Sequence, residues 1–246
     1  MNRLLSSFCL YVYNLWCVFW LITVFLALFP FIWIFIQRKE WHTLAHKLVH
    51  LWSVIFFFIV GKSVRLESRF TPSKDKAYVF VANHFSYLDV AVGMNVVKNY
   101  FAYMGKSSVK KIPLLGYVFA KLHIQVDRSD KGSRTKSLVR AMKSLKSDRS
   151  IFIMPEGGIL SKNIPQMLQP FKDGAFILAI ENQVPIVPIS FLNLYRIMPE
   201  SKLFWGKPKV VMHEPVETAG KTKADIEDLK MQVYKIIQGE IDRNAL

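Results

Sequence analysis

The sequence predicts an α/β domain, a central mixed sheet flanked by helices, preceded by an N-terminal membrane-anchoring helical segment. Three observations carry that prediction. No charged residue occurs from Leu4 to Gln37, and a bilayer core takes about 20 apolar residues as helix. Beyond Gly61, short β-rich stretches alternate with stretches of helical apolar spacing, the pattern of a sheet covered by helices. A composition that is 52% hydrophobic, with 11 Gly and 11 Pro in 246 residues, excludes disorder and repeat arrays.

The apolar run is too long for one simple span and short for two, and Pro30 is expected to break or kink it. It is too long, and lacks a small-residue cleavage site, for a signal peptide. A second apolar stretch, Leu48 to Val60 with His50 inside it, has the length of a re-entrant or interfacial helix. Arg3 precedes the first run and Arg38 and Lys39 follow it, so a single span is not oriented by charge, and the expectation is a helical hairpin with both basic flanks in the cytoplasm or a half-buried anchor. The expected division is therefore residues 1–60 as membrane-anchoring helices and 61–246 as one α/β domain. Cys9 and Cys17, the only cysteines, sit in the apolar run as small hydrophobes, which excludes a disulfide framework or a Cys-based metal site.

In the second region, Ala77 to Ala82, Leu122 to Val126, Ile151 to Met154, Ile186 to Phe191 and Lys209 to His213 are β-rich and bounded by turn residues. Ser133 to Ser147 carries Leu138, Met142 and Leu145 at helical spacing. Phe171 to Glu181 is apolar with good helix formers, and Ile226 to Ile237 is an amphipathic terminal helix. The net charge is +15, and Lys106 to Arg149 holds twelve Lys/Arg against three Asp/Glu. That excess predicts a basic face for anionic partners, with the apolar N-terminus favouring an anionic membrane and phosphate-bearing substrates over nucleic acid.

The strand Ala77 to Ala82 runs into Asn83-His84-Phe85-Ser86-Tyr87-Leu88-Asp89. Read structurally, Ser86-x-x-Asp89 resembles a capping box and His84 is a loop residue. Read functionally, residues five apart on one helix point about 140° apart, so His84 and Asp89 meet only if His84 precedes the helix and folds back over its first turn. Asp89 then holds one imidazole nitrogen as N–H and leaves the other to remove a proton.

With the blocks that follow, the chain resembles the glycerolipid acyltransferases typified by bacterial 1-acylglycerol-3-phosphate acyltransferase. After His-x4-Asp come Gly105-Lys106-Ser107 and Ile112-Pro113-Leu114-Leu115-Gly116, then Val126-Asp127-Arg128. Ile153-Met154-Pro155-Glu156-Gly157, Phe171-Lys172-Asp173-Gly174-Ala175 and Val184-Pro185-Ile186-Val187-Pro188-Ile189 complete the series in order. The resemblance covers roughly residues 75 to 192. It implies a general base at His84 partnered by Asp89, and direct transfer of an acyl group from acyl-CoA or acyl carrier protein, with no cofactor and no metal. It implies lysophosphatidate as acceptor, with Arg128 on its phosphate through bidentate guanidinium bonding. Glu156, Gly157, Lys106 and Lys172 are further substrate-binding candidates, and the Gly157-Gly158 amides are candidate oxyanion donors. One departure stands out: where the family commonly reads Glu-Gly-Thr-Arg, this chain reads Glu156-Gly157-Gly158-Ile159. Either Lys162 or Lys172 supplies the missing charge, or the acceptor head group differs.

His42, His46 and His50 share a helical face at a spacing that zinc accepts. Trp41 and Trp52 flank them as interface residues do, so an interfacial helix is the preferred reading. Competing functions are acyl transfer to glycerol 3-phosphate, another lysophospholipid or a lyso-aminolipid, and a non-catalytic lipid-binding membrane protein. No Gly-x-Ser-x-Gly elbow supports a hydrolase.

Overall fold

The computed structural model describes residues 2–127 and 130–244. Two compact units comprise them: one holds the chain up to Leu66 with Phe85–Lys98 and Asn193–Lys209, the other holds Glu67–His84, Asn99–Leu192 and the chain from Val210. The 60 residues expected as an anchor fall in the first unit.

In the first unit, α1 (Asn2–Phe35) and α2 (His42–Ile59) form an antiparallel pair. Tyr13 Oη donates to Val60 O (2.9 Å) and Trp52 Nε1 to Leu21 O (3.1 Å). Pro30 neither breaks nor ends α1, because its missing N–H removes one helical bond from a run whose apolar side chains keep packing. The second helix begins at His42, six residues before the expected Leu48. Ser7–Phe35 and Lys39–Ile59 are each long and apolar enough to cross a membrane. Along α2, Ala45, His46, Val49, Ser53, Phe56 and Phe57 bury one continuous face. Part of that packing is to α3 (Leu88–Val96), with Ser53 Oγ donating to Ala91 O (3.0 Å) and His50 Nδ1 at 2.8 Å from Met94 O. The His42 ring turns instead to Ile36 O, at 3.2 Å.

The second unit is built on the expected mixed sheet. The strands in chain order are β1 (Arg65–Ser68), β2 (Val79–Ala82), β3 (Phe101–Lys106), β4 (Ile124–Val126), β5 (Ser150–Ile153), β6 (Ile186–Phe191) and β7 (Lys209–Met212), with β2 to β6 lying wholly in this unit. Their order is β1-β7-β6-β2-β5-β3-β4. Strands β6, β2, β5, β3 and β4 run parallel, while β7 pairs antiparallel with β6. Every residue of β2 and β6 is buried, as continuous apolar runs in a parallel sheet covered on both faces should be. Strands β1 and β3 are absent from the sequence expectations, β1 because all four of its residues are exposed and carry no apolar alternation.

Helices α4 (Leu115–Leu122), α5 (Lys131–Leu145), α6 (Gly174–Asn182) and α8 (Ile226–Arg243) cover the sheet. The Asp130 carboxylate caps α5 by accepting from Gly132 N and Ser133 N. The other face of α5 exposes Lys136, Arg140 and Lys143, and Arg134 is exposed in its first turn. Leu229, Val233, Ile237 and Ile241 recur every four residues on α8 and are buried. A short helix, α7 (Leu194–Ile197), belongs to the first unit.

Candidate active site

In open α/β sheets, ligands sit beyond the carboxyl ends of the strands, where loops leave a rigid frame. The candidate residues of the second unit cluster at those ends. Val81 of β2 stands beside Ile153 of β5, and each chain then continues three residues, to His84 on one side and Glu156 on the other. Lys106 closes β3 beside Val126, the last residue of β4. Two residues further along is Arg128, which lies outside the described residues.

Glu156 is 1% exposed. Its Oε1 accepts the backbone N–H of His84 (2.7 Å) and its Oε2 that of Leu168 (2.9 Å). Bonds from amides to a carboxylate are of the stronger, charge-assisted kind, so this side chain fixes the backbone of His84. Expected as an acceptor ligand, Glu156 also ties His84 to the loop 160–169. That loop walls a cavity of about 270 Å³ lined by Lys162, Asn163, Met167 and Leu168 among others.

A residue that sequence reasoning missed stands next to His84. Asn83 is buried, donates from Nδ2 to Phe191 O (3.0 Å) and accepts Phe191 N at Oδ1 (2.8 Å). Its amide thereby extends the β2–β6 pairing to the residue before the histidine. An amide side chain closing an apolar strand is the sequence signal that could have found it.

Gly157 adopts φ +81, a backbone region that glycine enters without strain. A Cβ there would overlap the Lys172 ammonium, so the missing side chain lets Lys172 lie across this turn. Lys172 is anchored at its backbone, which donates to Pro155 O (3.0 Å). Its neighbour Asp173 accepts from Lys230 Nζ (2.8 Å), and Phe171 stacks on Phe176 with ring centroids 6.3 Å apart. Gly157 and Lys172 are thus brought together, as their separate motifs do not reveal. The Gly157 N–H donates to Met154 O (3.1 Å), closing the turn and leaving the Gly158 amide as the stronger oxyanion candidate of the two. Lys106 is exposed at its strand end.

In the first unit, Asp89 occupies the first turn of α3 and is fully buried. Its Oδ2 accepts from Phe85 N (2.8 Å) and Ser86 N (2.9 Å), so the carboxylate folds back over the residues that lead into the helix. This is half of the expected capping box. Ser86 departs from it, since its hydroxyl donates to Met198 O (2.7 Å) and accepts from Leu88 N (3.2 Å). His84 precedes α3 in the chain, as the functional reading requires, and is followed directly by the first amide that Asp89 holds.

Fold and strand-end cluster define an α/β protein whose polar chemistry is mounted on the carboxyl ends of parallel strands. The family model described as acyltransferase matches residues 63–192, more than half of the chain. The chain belongs to the acyltransferase family. It is 30% identical over 201 residues to a chloroplastic 1-acyl-sn-glycerol-3-phosphate acyltransferase of Brassica napus, covering 80% of this chain and 56% of that protein. To the 1-acyl-sn-glycerol-3-phosphate acyltransferase of Salmonella typhimurium it is 27% identical over 165 residues, 66% of each chain. It thus spans about half the length of the plant relatives it matches. The crystal structure of the 1-acyl-sn-glycerophosphate (LPA) acyltransferase PlsC from Thermotoga maritima superposes with a TM-score of 0.77 at 20% identity, covering 95% of this chain and 97% of that one. That likeness establishes the fold.

Proposed function

We propose that this chain is a 1-acyl-sn-glycerol-3-phosphate O-acyltransferase, moving an acyl chain from an acyl thioester to the sn-2 hydroxyl of lysophosphatidate to give phosphatidate in phospholipid biosynthesis. The observation that carries the reading is the fixed placement of His84 at the end of the central strand, its amide held by buried Glu156. The names of the relatives support the acceptor.

In this reading His84 takes the proton of the acceptor hydroxyl while the Asp89 carboxylate holds the other ring nitrogen as N–H. The alkoxide oxygen forms its bond to the thioester carbonyl carbon, and the negative charge on the carbonyl oxygen is met by the Gly158 amide. Collapse of the tetrahedral intermediate breaks the C–S bond, and the imidazolium returns its proton to the leaving thiolate. Arg128, Lys106 and Lys172 bind the phosphates, and no metal or cofactor takes part. The donor is acyl-CoA or acyl carrier protein as co-substrate. Residues 1–60 anchor the chain to an anionic membrane, with residues 61–246 as the catalytic domain on its cytoplasmic face, the inner membrane if the chain is bacterial.

A second reading, with a different acceptor, is favoured by Gly158-Ile159 standing where the family commonly has Thr-Arg. The test is a reconstituted assay offering lysophosphatidate, glycerol 3-phosphate and other lysolipids, each with both donor types. Phosphatidate formation that vanishes in His84→Ala supports the first reading. Turnover of another acceptor alone replaces it with the second, and lipid binding without turnover of any acceptor leaves a non-catalytic lipid-binding protein.

A further inference from the structure

The segment Asn193–Lys209 belongs to the same compact unit as α1 and α2, yet lies some 140 residues beyond them in the chain. Its tip is fastened to the helices by polar bonds. The Asn14 side chain, on α1, donates to Leu203 O (3.0 Å) and accepts Leu203 N (2.7 Å), pairing with that residue as a strand would. Lys62, just past α2 and only 1% exposed, donates from Nζ to Phe204 O and to Gly206 O. The same ammonium lies 5.4 Å from the centre of the Tyr13 ring, and that ring packs at 4.1 Å on Trp205.

These bonds hold the backbone of the tip while leaving its large side chains open. Trp205 is 66% exposed and Phe204 38%. An ordinary surface loop has little reason to fix two aromatic rings outward with a buried lysine, because ordering the chain costs entropy and the ring surface left in water recovers none of it. The surroundings indicate what recovers it. Tyr13 and Asn14 lie within the apolar stretch Ser7–Phe35, so Trp205 stands at a set height beside a helix suited to lipid. Lys202 and Lys207 flank the aromatic pair, are exposed, and carry charge opposite to anionic head groups. Tryptophan with flanking lysine is the composition that settles at the boundary between hydrocarbon and head groups.

We infer that the tip Lys202–Lys207 is a second membrane contact, a plate that inserts Phe204 and Trp205 into the head-group layer of an anionic bilayer and sets the depth at which α1 sits. This rests on the reading of α1 and α2 as a membrane anchor, and the test separates the two. The full chain is bound to vesicles of phosphatidylcholine and phosphatidylglycerol in which brominated acyl chains quench tryptophan at shallow or deep positions. Subtracting the spectrum of Trp205→Phe isolates this residue. Shallow bromines should quench Trp205 strongly, deep bromines weakly, and aqueous acrylamide several-fold less than without vesicles. If acrylamide reaches Trp205 equally with and without vesicles while the α1 tryptophans, Trp16, Trp20 and Trp33, are quenched by bromines, the plate is refuted and the anchor stands. If no tryptophan is quenched by bromines, the anchor reading itself fails and takes the plate with it. Lys202→Gln/Lys207→Gln should weaken partition onto anionic vesicles, at about fivefold per lysine, with little change on pure phosphatidylcholine. An equal change on both refutes the assignment to anionic lipid.

Discussion

In the proposed reaction His84 is the base and Asp89 its partner, while Glu156 holds the backbone amide of His84. His84→Ala should lower the acyl-transfer rate about 10²- to 10⁴-fold with the fold retained, the usual contribution of a positioned base. Asp89→Asn should cut turnover more than acceptor binding; a variant that lost only thermal stability would leave Asp89 a capping residue. Glu156 makes a sharper test, because its two charge-assisted bonds go to backbone amides. In Glu156→Gln one amide is left facing an NH₂ group, a loss of about 1.5–3 kcal/mol. If the carboxylate positions His84, kcat falls and the acceptor KM holds; a KM that rises alone would restore it as an acceptor ligand. Away from this site, burial and then the Arg69 guanidinium lower the pKa of His213 from 6.5 to about 4. The ring is neutral, 2.8 Å from Ser190 Oγ. An unfolded histidine takes up its proton near pH 6.5, whereas the folded one resists until about pH 4. Stability is therefore full above that window and lost as pH falls through it, on the order of 3 kcal/mol in all. Urea midpoints at pH 7 and pH 4.5 should differ accordingly, and the difference should shrink in His213→Asn.

At the level of elements, α2 has a packing role of its own. Its buried face supports α3, the helix that carries Asp89, through Ser53 and His50. Removing residues 1–60 should consequently impair turnover of detergent-dispersed acceptor as well as vesicle-bound acceptor. A truncated chain fully active on dispersed substrate would confine the helices to targeting. In the sheet, Phe152 of β5 is fully buried, with ring centroids 6.1 Å from Phe80, 5.7 Å from Phe101 and 4.9 Å from Tyr103. Phe152→Ala empties the centre of three neighbouring strands and should cost about 3–5 kcal/mol, read as a lower denaturation midpoint. Element identity was largely legible beforehand. Ile186 to Phe191 is the strand expected, and the terminal helix starts at Ile226 as expected but runs on to Arg243. Strand β3 escaped because its six residues end in Gly105-Lys106, which read as part of a motif block.

Across the whole molecule, exposed positive charge is found on α5, at Lys106 on the end of β3, and at Lys202 and Lys207 on the tip. Arg149, by contrast, is used internally. Its Nη2 donates to Leu122 O and Phe101 O, and burial lowers its pKa. The acceptor is where this distribution becomes testable. Arg128→Ala should raise the KM for lysophosphatidate roughly ten- to a hundredfold, the loss of one charge-assisted interaction, with lysine restoring only part and the donor KM steady. If substitution of Lys172 cripples acceptor use and Arg128→Ala does not, the lysine drawn across Gly157 holds the phosphate in place of the family's arginine.

From the sequence alone came the α/β class, the apolar N-terminal segment, the order of the motif blocks and hence the family, and the position of His84 ahead of a helix. All of these are written in local signals, namely runs of uncharged residues, apolar periodicity and short motifs. Tertiary structure alone decided that Glu156 grips the amide of His84, that Lys172 lies across Gly157, that Asn83 extends a strand pairing to Phe191, and that Asn14 and Lys62 seat a loop some 140 to 190 residues away. The reason is physical. A hydrogen bond between distant segments constrains one atom on each side and imposes no period on the chain around it. Its partners are fixed only when the sheet and helices have brought those segments together.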